Sequence, residues 1–165
     1  MNELRIDVAD LLTHPAARRG VRISAVVDGL SGGVAEIRGP VDVDLLLERV
    51  PDGIVARGTL RARYTTECGT CLRPLSADLA VEVSELFEDR PVDGETYPLE
   101  GHVVGLEQLA RDALLLELPL APTCPPGDPA CVAETDPHAG DDARADADAG
   151  PSADPRWAAL STLEL

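Results

Sequence analysis

The sequence predicts an α+β protein in which an antiparallel β-sheet or partial barrel carries one or two packed helices and an acidic disordered segment. Apolar and polar residues alternate in four segments of the first half, as in strands with one buried face. Near residues 105–118 the leucines and alanines recur instead at three- and four-residue spacings, which is typical of an amphipathic helix. Hydrophobic residues make up 44% of the chain and aromatic residues only 2%, so aliphatic side chains must fill the core.

The alternating segments are taken as four strands, covering residues 21–27, 41–47, 54–64 and 79–83. The helix near 105–118 is expected to end before Pro119, because a residue that precedes proline disfavours the helical conformation. Together these elements predict a single β-rich domain over residues 1–122.

Two further segments are predicted after this domain. Residues 123–153 are rich in Pro, Ala and Asp, and they contain too few large apolar side chains to offset the entropy lost on ordering. We therefore expect an acidic, flexible segment. Residues 154–165 turn apolar again and include the only tryptophan, Trp157, which predicts a short C-terminal docking helix.

The second and third strands are close enough in sequence to form a hairpin. If Asp52 and Gly53 form a two-residue type I′ turn, three acids face three arginines on one side of the sheet. The predicted pairs are Glu48 with Arg57, Asp44 with Arg61, and Asp42 with Arg63. A register with a longer loop around Pro51 is the alternative.

The arginines of the third strand are the candidate RNA-binding residues: Arg57, Arg61 and Arg63, with Arg73 nearby. We call Arg57, Arg61 and Arg63 the arginine stripe. Cross-strand ion pairs are the simpler interpretation, since the predicted register places an acid opposite each arginine of the stripe, and no aromatic side chain lies between them to stack on bases. Guanidinium groups left unpaired in solvent would instead favour direct contact with RNA.

Four cysteines are the candidate metal ligands. Cys68 and Cys71 form a Cys-x-x-Cys motif between the third and fourth strands, where two thiolates can face one zinc ion. A complete structural site needs four ligands, and the remaining cysteines, Cys124 and Cys131, are separated by six residues, outside the usual spacing. A reduced, metal-free turn and a thiol redox site are the alternatives. Redox motifs of the thioredoxin type begin a helix, whereas a strand is predicted after this one.

The charge bears on the class of partner. The formal net charge is −16, and all 14 basic residues are arginine. Such a chain should attract basic proteins and repel a phosphate backbone. The first residues lack the features of a signal peptide, and no segment is long and apolar enough to cross a membrane, so we expect a cytoplasmic protein with reduced cysteines. No nucleotide-binding or hydrolase fingerprint is present, so we expect neither an enzyme nor a small-molecule substrate.

Three stretches of the chain, in this order, resemble the YceD family of large ribosomal RNA subunit accumulation proteins. They are residues 60–75 with Glu67-Cys68-Gly69-Thr70-Cys71-Leu72-Arg73-Pro74, residues 106–122 with the Leu118-Pro119 helix end, and residues 154–160 with Asp154-Pro155-Arg156-Trp157. The chain departs from many relatives after the helix, where they carry a second cluster of closely spaced cysteines and only Cys124 and Cys131 stand here.

The resemblance implies a non-enzymatic role in accumulation of the large-subunit ribosomal RNA, together with a basic zinc-ribbon protein of that subunit. The negative net charge indicates which class of partner is favoured. It favours binding of a basic ribosomal protein or assembly intermediate, with direct RNA contact through the arginine stripe as the alternative.

Overall fold

Three long neighbouring strands form the centre of the sheet. They are β5 (Pro40–Val50), β6 (Gly53–Glu67) and β7 (Pro74–Glu88), and buried and exposed residues alternate along each. The computed structural model describes residues 3–131. Residues 132–153 of the predicted acidic segment 123–153, and the predicted C-terminal helix of residues 154–165, lie outside the described residues.

The remaining described elements are short, except for β2 and the second helix. The strands are β1 (Arg5–Asp7), β2 (Arg18–Val26), β3 (Ser31–Gly32), β4 (Ala35–Ile37), β8 (Tyr97–Glu100) and β9 (Val103–Gly105). The helices are α1 (Ala9–Leu12) and α2 (Leu106–Glu117). Strands dominate, so the predicted fold class is confirmed in its coarse form, with more strands than the alternation indicated.

The strands form one curled, open sheet. β2, β5, β6 and β7 pair antiparallel in that order, and β4 pairs with the end of β6 that extends past β5. β8 joins β7 in parallel, with Phe87 opposite Tyr97, and then β9 and β1 continue the sheet antiparallel. The parallel pair departs from the predicted all-antiparallel sheet.

The core lies between the inner face of the sheet and α2. The helix buries Leu106, Leu109, Ala110 and Leu114, which recur at three- and four-residue spacings. Against them pack aliphatic side chains from the long strands, including Leu45, Leu47, Ile54 and Leu60. Phe87 is the one buried aromatic residue of the core among residues 3–131, and it stacks on Tyr97 with ring centroids 5.3 Å apart.

The predicted β5–β6 register is wrong by two residues. Val50 pairs with Gly53, so the two-residue turn consists of Pro51 and Asp52. Gly53 is needed for close approach rather than for the turn, because a Cβ there would lie 1.9 Å from the carbonyl oxygen of Phe87. A shift of two residues keeps each side chain on its predicted face but changes every cross-strand partner.

At Gly58 the backbones of β5 and β6 leave no room for a side chain. The φ of Gly58 is +152°, and a Cβ there would lie 2.1 Å from the carbonyl oxygen of Asp44 and 3.0 Å from the Cα of Leu45. A side chain at this position must therefore push the two central strands apart.

We predict that Gly58→Ala lowers the free energy of unfolding by about 2–4 kcal/mol, from backbone strain and overpacking together. Gly20→Ala is the matched control, because a Cβ there has nothing within 4 Å and its φ is ordinary. Urea denaturation followed by circular dichroism measures both. Equal stability of the two variants would contradict the assigned β5–β6 contact.

Candidate metal centre and charged surfaces

The four cysteines converge at one end of the sheet. The Sγ atoms of Cys68, Cys71, Cys124 and Cys131 all lie within 4.8 Å of one another. The Sγ atoms of Cys68 and Cys131 are 3.7 Å apart, and those of Cys71 and Cys124 are 3.6 Å apart. None of the four forms a disulfide.

The turn between β6 and β7 places the first pair. The N–H of Cys68 donates to the carbonyl of Arg73 at 2.8 Å, and the N–H of Leu72 donates to the carbonyl of Cys68 at 2.9 Å. Leu72 closes the turn with a φ of +57°. The N–H of Thr70 donates to Cys68 Sγ at 3.4 Å, so a backbone amide stabilises this sulfur.

The segment that follows α2 supplies the second pair. The N–H of Gly69 donates to the carbonyl of Pro122 at 2.8 Å, which brings the segment against the β6–β7 turn. The N–H of Cys124 then donates to Cys68 Sγ at 3.4 Å. Residues 125–131 fold back, with the N–H of Cys131 bonded to the carbonyl of Asp128 at 3.0 Å. This fold-back brings Cys131 near Cys124, although the six residues between them exceed the spacing usual in zinc sites.

The dimensions of the cluster fit a tetrahedral thiolate site. With zinc–sulfur bonds of about 2.3 Å, the sulfurs of such a site are about 3.8 Å apart. The two shortest sulfur separations, 3.6 and 3.7 Å, are close to that value, and the others need only a small contraction. Four cysteines fill the coordination sphere, so the cluster could hold a metal as a structural site without an open position for a substrate.

The thiols differ in acidity. Hydrogen bonds from the backbone N–H groups of Cys71 and Thr70 lower the pKa of Cys68 to about 5. The backbone N–H and then the guanidinium of Arg73 lower the pKa of Cys71. Burial raises the pKa of Cys124, and burial with the neighbouring thiols raises the pKa of Cys131 to about 12.

Each acidic thiol therefore lies beside a thiol of raised pKa, since Cys68 contacts Cys131 and Cys71 contacts Cys124. In the metal-free protein, each thiolate can accept a hydrogen bond from its neighbour's S–H group. The thioredoxin arrangement is not formed here, because strand β7 rather than a helix follows the Cys-x-x-Cys motif.

The predicted pairing of the arginine stripe is wrong, and the register explains why. The carboxylates of β5 bond to β2 instead: Arg18 pairs with Glu48 at 2.7 Å, and Arg22 with Asp44 at 3.2 Å. Asp42 accepts a hydrogen bond from the hydroxyl of Ser24 at 2.6 Å.

Two of the three arginines of the stripe have no ion-pair partner in the described part of the chain. Arg57 and Arg61 are exposed and form no ion pair within residues 3–131, and Arg63 approaches Asp78 only to 3.9 Å. Arg73 does not belong to the stripe, because its guanidinium donates to Cys124 Sγ at 3.1 Å and to Asp128. The ion pairs predicted for Arg57, Arg61 and Arg63 with the carboxylates of β5 are therefore not formed.

The negative charge is concentrated in the second half of the described chain. Residues 3–73 contain ten carboxylates and ten arginines, whereas residues 74–122 contain eleven carboxylates and two arginines. We call residues 74–122 the acidic half. It includes a groove of about 470 Å³ lined by Glu85, Asp93, Glu95 and Asp112, with Tyr97 and Leu116 beside them.

Apolar surface borders this groove. Leu116, which lines the groove, is 85% exposed. Within the groove the hydroxyl of Tyr97 donates to Asp112 at 3.1 Å, and burial beside that carboxylate raises the pKa of Tyr97 to about 12. No signal in the hydrophobic pattern identified this groove, because the acidic loop of residues 89–96 has no periodicity.

The fold and the cysteine cluster define a curled β-sheet protein in which four cysteines lie close enough together to hold a metal ion. The family model described as "Large ribosomal RNA subunit accumulation protein YceD" matches residues 56–164. The chain belongs to the YceD family. The match includes the Cys-x-x-Cys motif, α2 and the two later cysteines.

Mycobacterial relatives are similar to the chain. "Uncharacterized protein Rv2926c" of Mycobacterium tuberculosis H37Rv is 31% identical over 123 residues, which cover 70% of this chain and 55% of the relative. "Uncharacterized protein ML1660" of Mycobacterium leprae is 34% identical over 114 residues, which cover 64% and 52%. The chain thus spans about half the length of the curated relatives it matches. No solved structure matches the chain.

Within residues 3–131, no helix is long and apolar enough to cross a membrane.

We predict a thiolate that persists at mildly acidic pH in the metal-free protein. Because the pKa of Cys68 is lowered to about 5, its thiol is ionised above that pH and protonated below it. Ultraviolet thiolate absorbance followed against pH measures this step. Cys68→Ser should abolish it, whereas Cys131→Ser, which removes a thiol of raised pKa, should leave absorbance below neutral pH. Absence of thiolate absorbance in the wild type until alkaline pH would contradict the assignment.

Proposed function

We propose that this chain is a non-enzymatic, cytoplasmic factor in accumulation of the large-subunit ribosomal RNA, and that it binds a basic ribosomal protein or assembly intermediate through its acidic half. The family supplies the coarse role. One observation carries the partner assignment. Residues 74–122 contain eleven carboxylates and two arginines, whereas residues 3–73 contain equal numbers of the two. A field with this polarity attracts and orients a cationic partner.

The groove beside α2 suits long basic side chains. Lysine and arginine bury their methylene stems on apolar surface and leave the charged end among polar groups. Leu116 offers that apolar surface, while Glu85, Asp93 and Glu95 offer the carboxylates. Glu85 and Glu95 lie on different elements, so a bound cationic segment would contact both β7 and the loop that follows it.

We also propose that Cys68, Cys71, Cys124 and Cys131 bind one zinc ion. Zinc bound here would supply a cross-link between the β6–β7 turn and the segment that follows α2. That segment begins directly after the acidic half, so the cross-link would also fix the end of the proposed docking surface.

We predict that the purified full chain contains one zinc ion, that all four thiols are protected from alkylation, and that chelation exposes them. Cys124→Ser should weaken zinc binding and lower the melting temperature, because it leaves three thiolates. Elemental analysis with a thiol count measures this, and Cys124→Ser compared with the exposed Thr123→Ser separates ligand loss from a local packing change. Metal-free protein with four reactive thiols would contradict the site.

Direct RNA binding is the second candidate function. The observation that favours it is the exposure of Arg57 and Arg61 without an ion pair in the described part of the chain. Three features weaken it. Asp42 lies directly opposite Arg61, Glu82 is on the same sheet face, and the protein as a whole is negative.

One experiment distinguishes the two partners. Affinity is measured for the salt-extracted proteins of the large subunit and, separately, for protein-free large-subunit ribosomal RNA. The combined variant Glu85→Gln, Asp93→Asn, Glu95→Gln should weaken protein binding about tenfold or more, because three charge pairs are lost. Arg57→Gln with Arg61→Gln should leave protein binding unchanged.

Matched controls keep the charge change constant. Neutralising Glu3, Asp28 and Asp52, which lie outside the acidic half, should have little effect on protein binding. Arg18→Gln with Arg22→Gln, which removes two paired arginines, controls the arginine variant. Tight RNA binding that is lost only in the Arg57 and Arg61 variant, with no protein binding, would overturn the proposal in favour of the second candidate.

A further inference from the structure

Arg73 connects the two halves of the cysteine cluster. It lies in the β6–β7 turn, two residues after Cys71, and its Nη2 atom donates to Cys124 Sγ at 3.1 Å. The same nitrogen donates to Asp128 Oδ2 at 2.5 Å. One guanidinium thus contacts a ligand sulfur and a carboxylate that both belong to the segment after α2.

Asp128 in turn shapes the loop that carries Cys131. Its Oδ1 accepts a hydrogen bond from the N–H of Ala130 at 2.9 Å, and its main-chain carbonyl accepts one from the N–H of Cys131 at 3.0 Å. Its own N–H donates to the carbonyl of Pro125 at 3.2 Å. These bonds hold residues 125–131 in a fold-back that brings Cys131 Sγ to 3.7 Å from Cys68 Sγ.

The charges of Arg73 and Asp128 suit a cysteine cluster that holds a metal ion. Four thiolates around a divalent cation carry a net charge of about −2, which a neighbouring cation stabilises. The guanidinium of Arg73 supplies that cation and a charge-assisted hydrogen bond to sulfur. The pairing with Asp128 orients the guanidinium, and hydrogen bonds from the N–H of Ala130 and from Arg73 lower the pKa of the Asp128 carboxyl.

We propose that Arg73 and Asp128 are positioning residues of the metal site, which make a four-cysteine site out of an unusually spaced second pair. The inference rests on the proposed zinc site and concerns residues that bind no metal themselves. It also assigns Arg73 to the cysteine cluster rather than to an RNA-binding stripe. In metal sites, outer partners of this kind typically change affinity by about 10–100-fold.

The experiment measures zinc affinity of the full chain by chelator competition, and the number of thiolate ligands from the absorption spectrum of the cobalt(II)-substituted protein. Asp128→Asn keeps an oxygen for the N–H of Ala130 but loses the charge that holds Arg73. Arg73→Met removes both donor bonds. Arg73→Lys restores the positive charge with a single donor nitrogen, and Arg63→Met, an exposed arginine of the same hairpin, is the control.

We expect Arg73→Met and Asp128→Asn to weaken zinc binding about 10–100-fold. Arg73→Lys should recover part of that loss, and Arg63→Met should bind as the wild type. Asp128→Ala, which also releases the loop, should show the cobalt spectrum of three thiolates rather than four, because Cys131 is no longer held in place. Circular dichroism of each variant confirms that the sheet is folded.

The outcomes separate the two levels of inference. Wild-type protein that binds neither zinc nor cobalt(II) through its cysteines overturns the metal site itself. Wild-type protein that binds with four thiolates, beside Arg73 and Asp128 variants of equal affinity and identical spectra, overturns the positioning role and leaves the metal site intact.

Discussion

The pairing of β6 with β7 determines where every candidate site of this protein lies. The two strands are in register from Ile54 opposite Phe87 to Glu67 opposite Pro74. One end of this hairpin continues into the Cys68–Cys71 turn, and the other leads from Glu88 into the acidic loop before β8. With about 3.3 Å of rise per residue, roughly 40 Å of strand separates the two ends. The cysteine cluster lies at one end of this hairpin, whereas the acidic groove includes Glu85, near the other end of β7.

The segment after α2 contacts the cysteine end of this hairpin. α2 packs on the sheet through its buried leucines, and the chain then reaches the turn, where Pro122 and Cys124 are bonded to Gly69 and Cys68. Here metal binding and folding would be coupled, because only the folded chain brings Cys124 and Cys131 to the first pair. Such a cross-link would strengthen a contact between residues more than 50 positions apart in sequence.

Much of this fold follows from sequence pattern. Period-two alternation identifies β2, β5, β6 and the middle of β7, and the three- and four-residue spacings identify α2, because each element buries one continuous face. The short strands β3, β4, β8 and β9 span two to four residues, too few to show a period.

The β5–β6 register was mispredicted because Gly53 has the sequence signature of a turn glycine, whereas its role is to let β6 approach Phe87. Cys124 and Cys131 could be named as candidate ligands from composition, but their approach to Cys68 and Cys71 comes from contacts between distant segments, such as Arg73 with Asp128, which no sequence pattern shows.

Hydrogen–deuterium exchange of the full chain, alone and with the basic proteins extracted from the large subunit, tests the central claim most directly. The proposed docking surface predicts slowed exchange in the loop of residues 89–96 and in α2, with little change across β2 and β5. Slowed exchange confined to β5 and β6 around Arg57 and Arg61, or none at all with the proteins present, would contradict binding through the acidic half.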